Sequence, residues 1–477
     1  ICCTGRSKYR HTGQLLQEQI ERQMGQSVTV LGGGFRGLVT CFLLARQGHE
    51  ITLIEPGRHC GGVLRSFEWD GLYCDLGCHL FDNTDKEHTS VFLEMGGGAD
   101  CFHSIELNYA SKTGALLSDD ISIVDLSADF KANKETWLFQ LDQAGQQEGH
   151  ETGPALDDAL LERFGPDIAA RLKPMVCKAY AEDWTRIDRS ALAHGLFGRV
   201  RIADNATSGE LKKDAYLNKV LAASSTTNPS QFYPDMDRSF GRNFYPASKG
   251  MAGFVENAIA TLKAMGVRIL TGEAIENITE TRDTITVRTE TGRIFSSAQL
   301  ISTLSTAINE KLILNENNMP AEIGVPMAVV YLRLPLEVIN SVTYVHDFNP
   351  DHHVFRASTP GVYGKQVDDH GLSYVCVECP ARMDSDFYSS SPEEKLTTIM
   401  TEIADLEIID KGTAPADFKI LNVPKSYAVP AIGAPQAEAE ISKKICGRYA
   451  RFHQFNSFSF GKSRILKDAL SFIENLN

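Results

Sequence analysis

No apolar stretch in this chain is long enough to cross a bilayer. The strongest, Pro326 to Leu336, is eleven residues interrupted by Arg333, and it reads as a core strand. Positive charge is also in short supply: 47 Lys and Arg stand against 61 Asp and Glu, a formal net charge of -14. That balance argues against nucleic acid or an anionic membrane as the main partner, while leaving room for a local basic pocket. Cysteines number eleven, an odd count scattered from Cys2 to Cys446 without framework spacing, which excludes a disulfide scaffold and predicts a reduced, cytoplasmic setting. Metal-ligand spacing is missing as well. Cys74 and Cys78 have no second pair downstream, and Cys376-Val-Glu-Cys379 lies in a strand-like run where residues three apart face opposite sides. No G-x-S-x-G turn presents a nucleophilic serine, and no apolar signal segment precedes residue 27.

What is present begins at Ser27. A β-branched run, Ser27-Val-Thr-Val-Leu, leads into Gly32-Gly33-Gly34-Phe35-Arg36-Gly37, so Gly32, Gly34 and Gly37 fill G-x-G-x-x-G at a strand-to-helix turn. Gly32 permits the tight turn, Gly34 the close approach of a pyrophosphate, and Gly37 the packing of helix on strand. A second apolar run, Ile51 to Ile54, closes a β-α-β unit and ends on Glu55. An acid at that point accepts hydrogen bonds from ribose hydroxyls and repels a 2′-phosphate, which disfavours NADP. The doublet Gly61-Gly62, followed by Val63 and Leu64, makes a second glycine loop able to lie against a large planar cofactor and points to FAD.

With these loops and Asp75-Leu-Gly77-Cys78-His79-Leu-Phe81 in place, the chain resembles the FAD-dependent superfamily that holds amine oxidases, protoporphyrinogen oxidases, phytoene desaturases and UDP-galactopyranose mutases. The resemblance implies an α/β fold: a Rossmann-type, GR2-like FAD-binding domain, a mixed-sheet substrate domain and a helical insertion. At 477 residues the chain can hold these as separate units. Their expected boundaries are an extension at 1–26, FAD-binding segments at 27–115, 241–305 and 426–477, the capping insertion at 116–240 and the substrate sheet at 306–425. Residues 1–26 read as an appended segment with Leu16, Ile20 and Met24 on one helical face.

Further segments carry the resemblance. The insertion Arg163-Phe-Gly-Pro166 to Lys178 is similar to the helical cap over the substrate cavity, with a break at Gly165-Pro166. Tyr245-Pro-Ala-Ser-Lys249-Gly-Met resembles the return to the FAD domain, and there Lys249 replaces a usual glycine, a cation that would stabilise reduced flavin. By resemblance Ile275 sits where a backbone amide meets adenine, and Gly447-Arg448 where the pyrophosphate is met. The same resemblance makes Gly32, Gly33, Gly34, Phe35, Arg36, Gly37, Glu55, Gly61, Gly62, Val63, Leu64, Gly77, Cys78 and His79 the remaining cofactor contacts. His79, Lys249 and Arg356 are the expected catalytic or substrate-positioning groups, with Arg356, next to His352-His353, meeting an anionic portion of a small-molecule substrate such as an amine, carboxylate or nucleotide sugar. Two activities fit: hydride removal by an FAD oxidoreductase, or a redox-neutral nucleotide-sugar mutase using reduced FAD. Residues Phe455 to Ser459 lack the acid typical of mutases, which favours the oxidoreductase. No metal is expected, and an oligomer is compatible with the sequence.

Overall fold

The computed structural model describes residues 25–194, 196–224, 233–455, 461–474 and 476, so nearly all of the expected extension, and the tail from Asn456 to Ser459, lie outside the described residues. The first unit forms as its pattern dictates. Strand β1 (Ser27–Leu31) buries Val28, Val30 and Leu31, helix α1 (Phe35–Arg46) is buried along Leu38, Val39, Phe42 and Leu43, and β2 (Glu50–Glu55) returns parallel to β1. A hairpin of β3 (Ser66–Trp69) and β4 (Leu72–Asp75) follows, then β5 (Phe81–Asp82), α2 (Lys86–Met95), β6 (Phe102–Ile105), β7 (Tyr109–Thr113) and β8 (Leu116–Ser118).

The insertion builds its own core. Helices α3 (Phe130–Gln146), α4 (Leu156–Phe164) and α5 (Pro166–Tyr180) bury Trp137, Leu141, Leu160, Phe164, Leu172 and Val176 together. The break between α4 and α5 falls at Gly165, whose φ of 79° turns the chain, and Pro166 opens α5 where its missing N–H costs nothing. The chain then forms β9 (Asn243–Pro246), α6 (Gly250–Ala264), β10 (Arg268–Thr271), the meander β11 (Ile275–Glu280), β12 (Ile285–Thr289) and β13 (Ile294–Ser297), β14 (Gln299–Ser302) and α7 (Thr306–Leu314). Last come β15 (Ile323–Pro335), β16 (Tyr344–Asp347), β17 (Arg356–Ser358), β18 (Leu372–Pro380), α8 (Pro392–Asp405), β19 (Asp417–Val429), α9 (Ala434–Arg448), β20 (Phe452–Gln454) and α10 (Lys462–Glu474). Among the described residues no helix is long and apolar enough to cross a membrane.

Two sheets organise these elements. A five-stranded parallel sheet, order β10-β2-β1-β14-β20, is assembled from three separate stretches of chain. The meander covers one of its faces through Ile278, Ile285 and Val287, packed with Leu31, Ile54 and Leu300. A seven-stranded sheet, order β19-β15-β18-β17-β16-β7-β8, is antiparallel except where β16 runs parallel to β7, so it is mixed as expected. β7 and β8, assigned by sequence to the first nucleotide-binding segment and the start of the insertion, join this second sheet instead, because their register partner β16 supplies the edge they need.

Side-chain alternation gives the second sheet two distinct faces. One is aliphatic: Val330, Leu332, Val375 and Val377 pack against Ile399 and Ile403 of α8. The other meets the β3–β4 hairpin through Met327, Val329, Tyr331, Tyr374 and Cys376, and the register extends that face through Glu378, Arg356, His346 and Tyr344. Cys376 and Cys379 therefore belong to different layers, as the strand reading predicts.

Candidate functional site

The parallel strands end at a shared edge, where the glycine loop turns. Gly32 holds φ +94°, and a Cβ there would strike Thr303 Oγ1 at 2.5 Å; a Cβ at Gly37 would overlap the Gly32 carbonyl oxygen. Neither position tolerates a side chain. Gly34 differs: with φ −67° it is unstrained, and an added Cβ would meet nothing within 4 Å. Gly34 caps α1 without any side-chain hydrogen bond, and no acid lies in the first helical turn. The open volume therefore faces a helix N-terminus with no carboxylate in its own first turn.

The second glycine loop is clasped to the first. The Gly61 N–H donates to the Gly33 carbonyl at 2.8 Å, and Gly34 and Gly61 form a β-bridge. Gly61 and Gly62 have φ of 108° and 58°, and a Cβ on Gly62 would reach the Gly34 Cα at 3.4 Å. The Glu55 carboxylate completes the ring, accepting from the Gly33 N–H at 2.5 Å and the Gly57 N–H at 2.6 Å. Ile275 lies beside this end, since the Gly272 and Glu273 amides donate to the Gly57 and Glu55 carbonyls. A narrow uncapped cradle with an acid at its rim suits the pyrophosphate and ribose of FAD.

Segment 75–81 runs from this cradle to the mixed sheet. Asp75 is buried and accepts from Ser66 Oγ at 2.6 Å, the Met251 N–H at 2.9 Å and the Tyr245 hydroxyl; burial nonetheless pushes its pKa up to about 6. Gly77 has φ +97°, and a Cβ there would meet Glu378 Oε1 at 3.0 Å, so the segment lies directly on the polar part of the sheet. The Cys78 thiol stands 3.8 Å from the Tyr363 hydroxyl. The His79 ring shares a hydrogen bond with the Leu76 carbonyl at 3.1 Å, and burial together with the charges of Lys462 and Arg356 lowers its pKa to about 3. Both influences favour the neutral form of the imidazole.

Several expected residues are placed elsewhere. Phe35 is a core residue, its ring packed with Phe81, Phe92 and Phe254, so only its backbone faces the cradle. Arg36 lies 5.4 Å from the Phe455 ring, and burial lowers its pKa against the charges of Asp468 and Glu438. Leu64 is buried beneath the second loop, while Val63 is 59% exposed. Lys249 does not enter the site: it is paired at 2.9 Å with Glu256, both side chains being about half exposed. It stands at the start of α6 with φ 57°. Gly447 and Arg448 are also misplaced by the sequence reading. They end α9, before β20, and since β20 runs parallel to β14 they lie at the opposite end of the sheet from the glycine loop.

Arg356 does reach the polar face of the mixed sheet, but its charge is committed. Its guanidinium grips Glu378 with two bonds, one of them 2.7 Å from Nη2 to Oε1. Burial works against the Arg356 charge, yet Glu378 outweighs it and raises the pKa, so the pair is a matched charge on the sheet face and not a free cation.

Sequence reasoning missed the roles of four members of the site. Glu378 sits in an apolar run and gave no signal of its own. Tyr245 and Asp75 lay in noted segments, but their pairing across 170 residues is a tertiary fact. Lys462 opens the last amphipathic helix, and its Nζ donates to the Leu80 carbonyl at 2.9 Å. Lys178 is structural: its buried amine donates to the Asn349 carbonyl at 2.6 Å and ties the helical cap to the sheet.

Comparison with known proteins agrees with this geometry. The NAD(P)-binding Rossmann-like domain family matches residues 30–94. Coproporphyrinogen III oxidase of Mycobacterium bovis is 28% identical over 193 residues, covering 35% of this chain and 40% of that protein, so the match spans less than half of the relative. Among solved structures, reduced UDP-galactopyranose mutase superposes with a TM-score of 0.67 at 13% identity, covering 95% of this chain and 94% of the other. Putrescine oxidase bound to putrescine gives 0.59 at 12% identity, covering 95% and 99%. The chain is thus similar over part of its length to coproporphyrinogen III oxidase, and it shares its fold with UDP-galactopyranose mutase and putrescine oxidase.

Proposed function

We propose that this protein is an FAD-dependent oxidoreductase acting on a small-molecule substrate bound at the polar face of the mixed sheet, beside the point where segment 77–79 lies on it. The observation that carries the reading is the uncapped N-terminus of α1, open at Gly34, clasped by Gly61 and Gly62 and rimmed by Glu55. Bound there, FAD would supply hydride-accepting chemistry, and the protein's part is to hold and orient. The first-turn amides of α1 would hold the pyrophosphate and Glu55 the ribose. Gly77 lets the chain lie close to the sheet, and His79 would help to position the bound group.

The matched Arg356–Glu378 pair favours the oxidoreductase over the mutase, because a nucleotide sugar brings phosphates that ask for an uncommitted cation. The test is to load the purified protein with FAD, record its spectrum, and assay peroxide on addition of amines, with UDP-sugars plus dithionite in parallel. Flavin bleaching by an amine with peroxide release supports the proposal. Sugar ring interconversion only after reduction assigns the mutase instead, and a protein that takes up no FAD refutes both.

A further inference from the structure

The sequence put a flavin-facing cation at Lys249, which the fold turns outward to Glu256. A different lysine occupies the cofactor edge. Helix α10 follows β20, which pairs with β14, and the residue after β14, Thr303, binds the Leu31 and Gly32 carbonyls at 2.9 and 3.2 Å. The N-terminus of α10 therefore stands at the same edge as that of α1. Lys462 is its first residue. Its ammonium donates to the Leu80 carbonyl and lies 5.3 Å from the centre of the Phe81 ring, and Phe81 in turn packs on Phe35 at the first position of α1.

Neighbouring charges are otherwise matched. Arg356 is held by Glu378, and Asp82 is paired with Arg242 at 3.1 Å. Among the described residues no carboxylate lies within ion-pair distance of Lys462; its hydrogen-bond partner is a neutral carbonyl. Asp82, Cys78, Asp75 and Arg356 act on it only through space, and burial lowers its own pKa. In return Lys462 acts electrostatically on Cys78 and His79.

We propose that Lys462 is the cation that sets the charge of the cofactor cleft, favouring the reduced, negatively charged form of bound FAD over the oxidised form. This rests on the FAD reading above. Lys462 is a positioning residue acting through space, and a positive charge in a partly desolvated cleft stabilises added negative charge more than it would in water.

The test compares the two-electron midpoint potentials of FAD-loaded wild type, Lys462→Met, Lys462→Gln and Lys462→Arg. The neutral variants should shift the oxidised-to-reduced equilibrium at least tenfold toward oxidised, about 30 mV more negative for a two-electron couple. Lys462→Arg should keep the wild-type potential. The apoprotein gives a second reading: His79, followed by NMR, should titrate higher in the neutral variants. A neutral variant holding flavin at the wild-type potential, or one in which His79 does not move, overturns the proposal. A wild type that takes up no FAD refutes the cofactor reading itself, an outcome distinct from a yellow wild type with unshifted variants.

Discussion

Gly34→Ala separates folding from binding at one atom. Gly34 has φ −67°, a conformation alanine adopts freely, and its Cβ would meet nothing within 4 Å. The apoprotein should therefore keep its stability to within about 1 kcal/mol, because the lower unfolded-state freedom of alanine is offset by its poorer fit at an N-cap. The new methyl would stand where a pyrophosphate approaches the first turn of α1. Losing one charge-assisted hydrogen bond there costs about 1.5–3 kcal/mol, which weakens FAD binding about tenfold to a hundredfold. Thermal unfolding of the apoprotein and titration of FAD by flavin fluorescence measure the two quantities on one sample. Gly37→Ala is the opposite case, because its Cβ overlaps the Gly32 carbonyl and should lower the unfolding temperature before any cofactor is added. A Gly34→Ala protein that binds FAD as wild type does would refute the cradle assignment.

Glu55→Ala should reduce flavin retention by removing the ribose acceptor and the cap on Gly33 and Gly57, read as the flavin-to-protein absorbance ratio after gel filtration. Arg356→Ala should destabilise the fold by about 3–5 kcal/mol, because it leaves Glu378 buried and unpaired, and Arg356→Met with Glu378→Leu should recover much of that loss in chemical denaturation. Asp75 has a folded-state pKa of about 6, above its unfolded value, so its ionisation weakens the fold above that pH. Relative to Asp75→Asn, the wild type should therefore gain stability as pH falls from about 7 to about 4, and a pH-independent difference in melting temperature would contradict the assignment.

The nucleotide-binding unit was legible because its signals are local. Strand, glycine turn, helix, strand and Glu55 fall within 29 residues, and each glycine has a steric reason that the structure displays. The break at Gly165-Pro166 was legible for the same reason. Arg448 was not, because a Gly-Arg step looks alike before or after a strand, and only the short β20 at 452–454 shows on which side it falls. Lys249 failed because its partner, Glu256, lies on the exposed side of α6, and the pairing depends on how that helix is seated. Arg356 lies near the site as expected, yet its charge is spoken for by a residue 22 positions away that only strand pairing reveals.

The parallel sheet places its last strand, β20, at the far end of the chain from β1. During synthesis the growing polypeptide must wait for that strand with β14 exposed as a raw edge, at rates of about 5–20 residues per second. Unpaired edges recruit foreign strands. Nascent chains halted before β20 should accordingly clump, and a helper that shields β14 on the ribosome should raise the yield of soluble protein.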